Sequence, residues 1–314
     1  MAKQYPTTGS IERLDSAIDQ LIAKEAKIEV LADGFTWSEG PLWIEEGGYL
    51  LFSDIPPNKV MKWSEKEGIS LYLHPSGYTG EVARKGESGS NALLLDPSGN
   101  LVLCQHGDRR MGRMVTALGN PTPSYETIID AYEGKRLNSP NDAVYDSKGN
   151  LYFTDPPYGL EQQMKDPTKE LDFQGVFRYG KDGTMKLVTD QLSRPNGLAF
   201  STDESKLYVA NSDPQKAIWM EYMLDENGAI TKEKLFYDAT EAEGKGLPDG
   251  MKVDRKGNIW ATGPGGVWVF QSDGTVLGKI KTGEATSNCA FNADQSILYM
   301  TCDDYLMRIQ LKGL

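Results

Sequence analysis

Apolar residues come in short paired runs along this chain, each pair divided by a turn of Asp, Gly, Asn, Ser or Lys. Six segments share that phrase: LWIEEGGYLLFSD from Leu42, LLLDPSGNLVLCQ from Leu93, AVYDSKGNLYFTD from Ala143, LAFSTDESKLYVAN from Leu198, MKVDRKGNIWATG from Met251 and AFNADQSILYMTC from Ala290. Aligned on the first apolar residue after the turn (Leu50, Leu101, Leu151, Leu207, Ile259, Leu298), they recur at intervals of 51, 50, 56, 52 and 39 residues. The turn residues tolerate the backbone of tight connections, and the flanking runs are rich in the β-branched and aromatic residues of strands. A period near 50 residues accommodates four short strands, so six units predict an all-β chain folded as a six-bladed β-propeller. A solenoid is the alternative, but neither the first nor the last repeat is a polar cap, which favours ring closure.

The flanks add two expectations. Ile11, Leu14, Ile18, Leu21 and Ile22 fall on one face of a helix spanning residues 11–24, with Ser10 as its N-cap, packed on the outside of the ring. Lys27–Ala32 and Leu306–Leu311 both read as strands, and the two are expected to share or adjoin one blade. The division expected is therefore an N-terminal extension with a helix over 1–26 and one propeller domain over 27–314. Three long irregular segments, 77–89, 107–136 and 156–175, have the length of lids or pocket walls.

A polar residue recurs in phase with the repeat. Glu39, Asn91, Asn141, Asn196, Asp249 and Asn288 lie ten or eleven positions before the six anchors, in the contexts SEGP, GSNA, SPND, RPNG, LPDG and TSNC. Asx-turns at the starts of strands would explain any one of them. Six in phase, on the innermost strands, would converge at one end of the axis and present oxygen ligands, a set suited to hard divalent cations.

The phrases SEGPLW, SPNDAVYDSKGNLYFTDPPYG, RPNGLAF and LPDGMKVDRKGNIWAT resemble the gluconolactonase / senescence-marker-protein / luciferin-regenerating-enzyme family from about Lys27 to Leu311. GKRLNSPND and TDPPYGL resemble its bacterial gluconolactonase branch most. The resemblance implies a six-bladed propeller with one catalytic divalent metal on the axis, hydrolysing sugar lactones and sometimes organophosphates. Matched motif to motif, it implies metal ligation by Glu39, Asn196 and Asp249, with Asn141 in the metal or substrate shell. Calcium is the expected ion; zinc, magnesium, manganese or iron also serve in the family.

Composition narrows the partners. The formal net charge is −12 and no basic stripe is present, which disfavours nucleic acids and anionic membranes. No apolar stretch approaches a membrane span. Cys104, Cys289 and Cys302 are too scattered for a disulfide framework and are expected as buried thiols. Only His74 and His106 are present, there is no HExxH, and GxSxG, GxxxxGK[ST] and strand-borne GxGxxG motifs are missing, so zincin, serine-hydrolase, P-loop and dinucleotide readings lose support. A cytoplasmic location is expected, or a periplasmic or secreted one if a signal peptide has been removed, with a monomer or weak dimer as the assembly.

The reaction expected is metal-assisted opening of a sugar lactone, glucono-1,5-lactone to gluconate. Metal polarises the carbonyl, and Asp249 serves as general base or as direct nucleophile. Asn91, His106, Arg136, Asn141 and Asp155 are the expected substrate-binding groups, a polar wall suited to a sugar. A phosphotriesterase-like hydrolase using the same metal, and a non-catalytic binding propeller, are the alternatives.

Overall fold

The computed structural model describes residues 3–313. Among the described residues six antiparallel sheets of four or five strands form the blades, beside one two-stranded hairpin at Ala131–Tyr132 and Lys135–Arg136, and the first strand of each six-fold phrase lies innermost in its blade. The innermost strands are Ser38–Ile44, Ser90–Leu95, Ala143–Tyr145, Pro195–Phe200, Met251–Val253 and Thr286–Phe291 for blades 1 to 6. The turn of each six-fold phrase connects this strand to the second, so every phrase is the inner hairpin of one blade. The expected six-bladed propeller is what forms.

Each blade buries both faces, and that arrangement divides the apolar core into six clusters, one between each pair of neighbours. Leu51 and Tyr49 of blade 1 meet Leu101 and Leu103 of blade 2, while Trp219 and Tyr208 of blade 4 meet Phe270 and Ile259 of blade 5. Cys104, Cys289 and Cys302 are buried free thiols within these layers. Non-directional apolar burial holds the layers together, and hydroxyl groups then set their register. Ser53 Oγ of blade 1 donates to Asn91 O of blade 2 at 2.7 Å, and Thr262 Oγ1 of blade 5 donates to Ser287 O of blade 6 at 3.0 Å. Ser287 Oγ donates to Ser38 O of blade 1 at 2.7 Å, across the closure of the ring.

The ring is shut by the N-terminal part of the chain. Ile28–Ala32 pairs antiparallel with Tyr305–Gln310 as the fourth strand of blade 6, and Thr7–Thr8 extends that sheet. The expected sharing of one blade by the two ends is therefore observed.

The expected helix over 11–24 is not. Ser10–Arg13 is a strand paired with Val276–Lys281 at the edge of blade 5, and only Ser16–Gln20 coils, as a 3-10 turn capped by Asp15 rather than Ser10. Ile18, Leu21 and Ile22 are buried against blades 5 and 6, whereas Leu14 is 54% exposed. An unpaired sheet edge offers a row of backbone donors and acceptors. Pairing with it satisfies Ser10–Arg13, while Ile18 to Ile22 still cover the apolar layer. Gly9, at φ +62°, turns the chain from blade 6 to blade 5 where a Cβ would meet Lys281 O.

Candidate active site

The in-phase polar residues sit where the inner strands lose their regular pleat. In blades 1, 2, 4 and 6 the pairing register shifts at that point, between Glu39 and Leu42, Ser90 and Leu93, Pro195 and Leu198, and Thr286 and Asn288. In blades 3 and 5 the strand begins only after Asn141 and Asp249. Such irregularities re-aim side chains, and here five of the six side chains, those of Glu39, Asn91, Asn141, Asn196 and Asp249, line one axial cavity of about 230 Å³. Asn288 lies one layer below. It donates from Nδ2 to Glu39 Oε2 at 3.1 Å and borders a second cavity at the opposite end of the axis.

Glycines let these strands approach so closely. Gly40, Gly197 and Gly250 each follow a cavity residue, and a Cβ on any of them would overlap the next blade: Asn91 O at 2.2 Å, Asp249 O at 2.2 Å and Asn288 Cγ at 2.0 Å, respectively.

The donor set is one of oxygens lacking hydrogen. Asn91 Oδ1, Asn141 Oδ1 and Asp249 Oδ1 are buried without a hydrogen-bond partner. Asn196 spends its Nδ2 on Ser212 Oγ at 3.0 Å, so its amide oxygen is the end left for the cavity. Each buried acceptor without a donor costs about 1–3 kcal/mol, and a cation satisfies several at once. Among the described residues no cluster of three or more His, Cys, Asp or Glu side chains occurs, because amides supply most of these oxygens.

Electrostatics agree. Burial raises the Glu39 carboxyl to about 8, with the Asp142 carboxylate pushing it further and Asn288 and Lys252 restraining it. Asp249 is likewise held well above the carboxylate range by burial and then by Glu39, Asp142 and Glu87. Two acids that resist ionisation while facing a shared space form a site short of positive charge.

The other residues singled out from sequence fall elsewhere. His106 is fully buried behind the cavity, with Nδ1 3.4 Å from Glu87 Oε2. Asp155 accepts hydrogen bonds from the backbone of Asn138 and Ser139, both at 2.7 Å, and so ties down the loop that delivers Asn141. Burial lifts its carboxyl to about 7 against the pull of those two N–H groups. Arg136 is exposed, donates to Asp108 O at 3.1 Å and borders a peripheral cleft. Of the expected polar wall, Asn91 and Asn141 line the axial cavity. Trp37, Glu87, Tyr158, Arg194, Ser212 and Thr286 line it as well, with Gly246 and the apolar Leu247 and Ala285. The sequence carried partial signals for several of these: Glu87 lies in the irregular segment 77–89, Tyr158 in the segment 156–175, and Arg194, Leu247 and Thr286 open the RPNG, LPDG and TSNC contexts.

Comparison with known proteins places this geometry. A family model described as the SMP-30/Gluconolactonase/LRE-like region matches residues 37–303. A gluconolactonase of Zymomonas mobilis is 39% identical over 98% of this chain and 87% of its own length. The solved structure of a Xanthomonas campestris gluconolactonase has 31% identity and a TM-score of 0.82, covering 98% of this chain and 99% of that one. At 18% identity, regucalcin from Agrobacterium tumefaciens, a calcium-binding protein, shares the fold with a TM-score of 0.69 over 100% of this chain and 98% of that one.

Proposed function

The chain belongs to the SMP-30/gluconolactonase/LRE-like family and is a lactonase; we propose that it opens aldonolactones such as glucono-1,5-lactone in the axial cavity with one bound divalent cation. The observation that carries the cation is the pair of orphaned oxygens on Asn141 and Asp249 beside two carboxyls that resist ionisation. Glu39, Asn141, Asn196 and Asp249 would hold it, and an oxygen-only set of amides and carboxylates suits Ca²⁺. Such an ion supplies Lewis acidity toward the lactone carbonyl and lowers the pKa of nearby water.

The chain's own groups do the rest. Asp249 Oδ1, free of any protein donor, accepts a proton from the attacking water. The oxygen of that water adds to the ring carbonyl carbon, the bond from carbonyl carbon to ring oxygen breaks, and the ring oxygen leaves as a hydroxyl by taking up the proton held by Asp249. At neutral pH the acid so formed ionises and one proton is released per turnover. Asn91 and Asn141 present amide groups to sugar hydroxyls from two adjacent blades. A volume of about 230 Å³ falls below the ~300–1,000 Å³ of pockets for larger ligands and is in scale with a single sugar ring.

The relatives described above are gluconolactonases and give no support to an organophosphate substrate, and buried acceptors left without donors are a poor design for a binding surface that holds no ion. The test is lactone hydrolysis by chelator-stripped protein, followed as proton release while each divalent ion is restored. Loss with chelator and return with one ion is the expected result. Full activity of the stripped protein would refute the cation's role, and inactivity on every aldonolactone with every ion would refute the substrate class.

A further inference from the structure

Within the axial cavity one cationic side chain, Arg194, stands among its acidic and amide neighbours. Other arginines are committed: Arg308 to Glu29 and Glu65, Arg113 to Asp96 and Glu126, Arg13 to Asp19, and Arg178 over the Tyr152 ring. The Arg194 guanidinium makes no hydrogen bond, no ion pair and no aromatic contact among the described residues. Its backbone, by contrast, is fixed at both ends. Its N–H donates to Asn211 Oδ1 at 2.8 Å and its carbonyl accepts from Ser212 N at 2.9 Å, with Pro195 stiffening the next position. A guanidinium carried on a fixed stretch of backbone, facing a cavity and without a side-chain partner, is a recognition group available to an acceptor.

The charges in the cavity indicate what the acceptor is. A divalent cation held by Glu39 and Asp249 would offset both carboxylates, which leaves Arg194 as the one cationic side chain on the cavity wall, with Glu87 the remaining acid there. The protein as a whole carries −12 and repels anions at long range. A positive group placed inside the cavity is what allows an anion to be kept there.

We propose that Arg194 is a specificity-determining residue that selects lactones bearing an anionic substituent, a carboxylate or a phosphate, at the end of the sugar remote from the lactone carbonyl. The proposal rests on the lactonase reading and deepens it by naming the charge of the substrate. A planar guanidinium takes either oxyanion in a two-pronged pair.

Three lactones test it: neutral glucono-1,5-lactone, its 6-phosphate and the 1,5-lactone of the corresponding 1,6-diacid, each assayed with wild type, Arg194→Gln and Arg194→Lys. One of the two anionic lactones should exceed the neutral one in kcat/KM by about 10- to 100-fold, the scale of a charge-assisted hydrogen bond. The two anionic arms tell phosphate from carboxylate. Arg194→Gln should lower the anionic values at least tenfold more than the neutral value, and Arg194→Lys should restore part of the difference. Equilibrium binding of the open-chain 6-phosphate product to wild type and Arg194→Gln gives a readout independent of turnover. Wild-type preference for the neutral lactone, or an equal loss on all three in Arg194→Gln, overturns this assignment while the lactonase reading stands. Failure of wild type to open any lactone with any ion removes that reading and this assignment with it.

Discussion

Gly197→Ala probes how the ring positions its cavity. Gly197 follows Asn196 on the inner strand of blade 4, and a Cβ there would lie 2.2 Å from Asp249 O and 2.6 Å from the Cα of Gly250 on blade 5. Ordinary carbon contacts need about 3.5 Å, so the two strands must part by roughly 1 Å at the point where Asp249 is delivered. The backbone of Gly197 is outside the left-handed region, so conformation alone would favour alanine by about 0.4–1 kcal/mol through the unfolded state. Overpacking costs about 1–3 kcal/mol and reverses that sign. A displacement of about 1 Å at a reacting group costs on the order of 100-fold in rate. The assay is thermal unfolding together with calcium affinity and lactone kcat/KM, with Gly119→Ala as the control because nothing lies within 4 Å of its added Cβ. Gly197→Ala should lose stability, affinity and rate together, and Gly119→Ala should change stability by less than about 0.5 kcal/mol. A Gly197→Ala protein with wild-type affinity and rate would show that close approach of the inner strands does not position Asp249.

Three further outcomes are expected. Asp249→Asn should lower turnover by at least about 100-fold, the lower range for loss of a positioned base, with full activity in a steady-state assay counting against its role. In chelator-stripped protein, Glu39 is raised from the ordinary carboxylate range to about 8 and Asp249 is raised too, so the folded state holds more protons than the unfolded one. Stability of the stripped protein should therefore be fully present below about 4.5 and fall as pH rises toward about 8; thermal melts at pH 5 and 9 check the sign, and saturating calcium should remove most of the dependence. Asp155→Ala leaves the buried N–H groups of Asn138 and Ser139 without acceptors, so it should destabilise the protein by about 2–4 kcal/mol and weaken calcium binding through Asn141, measured by denaturant unfolding and calorimetric titration.

Much of this architecture is legible from residue order because the inner hairpin of each blade is a local object. The strand, turn and strand of AVYDSKGNLYFTD lie within a dozen positions, and their turn chemistry repeats. The phase of Glu39, Asn91, Asn141, Asn196 and Asp249 is legible for the same reason, since ring symmetry converts equal spacing into convergence. What escaped is set by partners distant in sequence. The 3.6-residue pattern of Ile11 to Ile22 fits a helix, yet the open edge that claims Ser10–Arg13 belongs to residues 276–281. His106, Arg136 and Asp155 sit at or near blade ends, where the path of a loop and not the spacing decides what a side chain faces. Arg194 and Glu87 are ordinary surface residues by type, and only the loops around them turn them toward the axis.

The closure of blade 6 places a constraint on timing. Glu29 and Arg308 are joined across 279 positions of sequence, and a ribosome adding about 5–20 residues per second needs about 14–56 s to make the interval. Throughout that time the strand Ile28–Ala32 lacks its partner Tyr305–Gln310, and Glu39 lacks the amide that Asn288 later gives it. Blades can form one by one as they emerge, but the axial cavity cannot be complete until the last has docked against the first. A growing chain of this protein is therefore inactive by construction, and premature release leaves an open arc with exposed strand edges that invite pairing between chains.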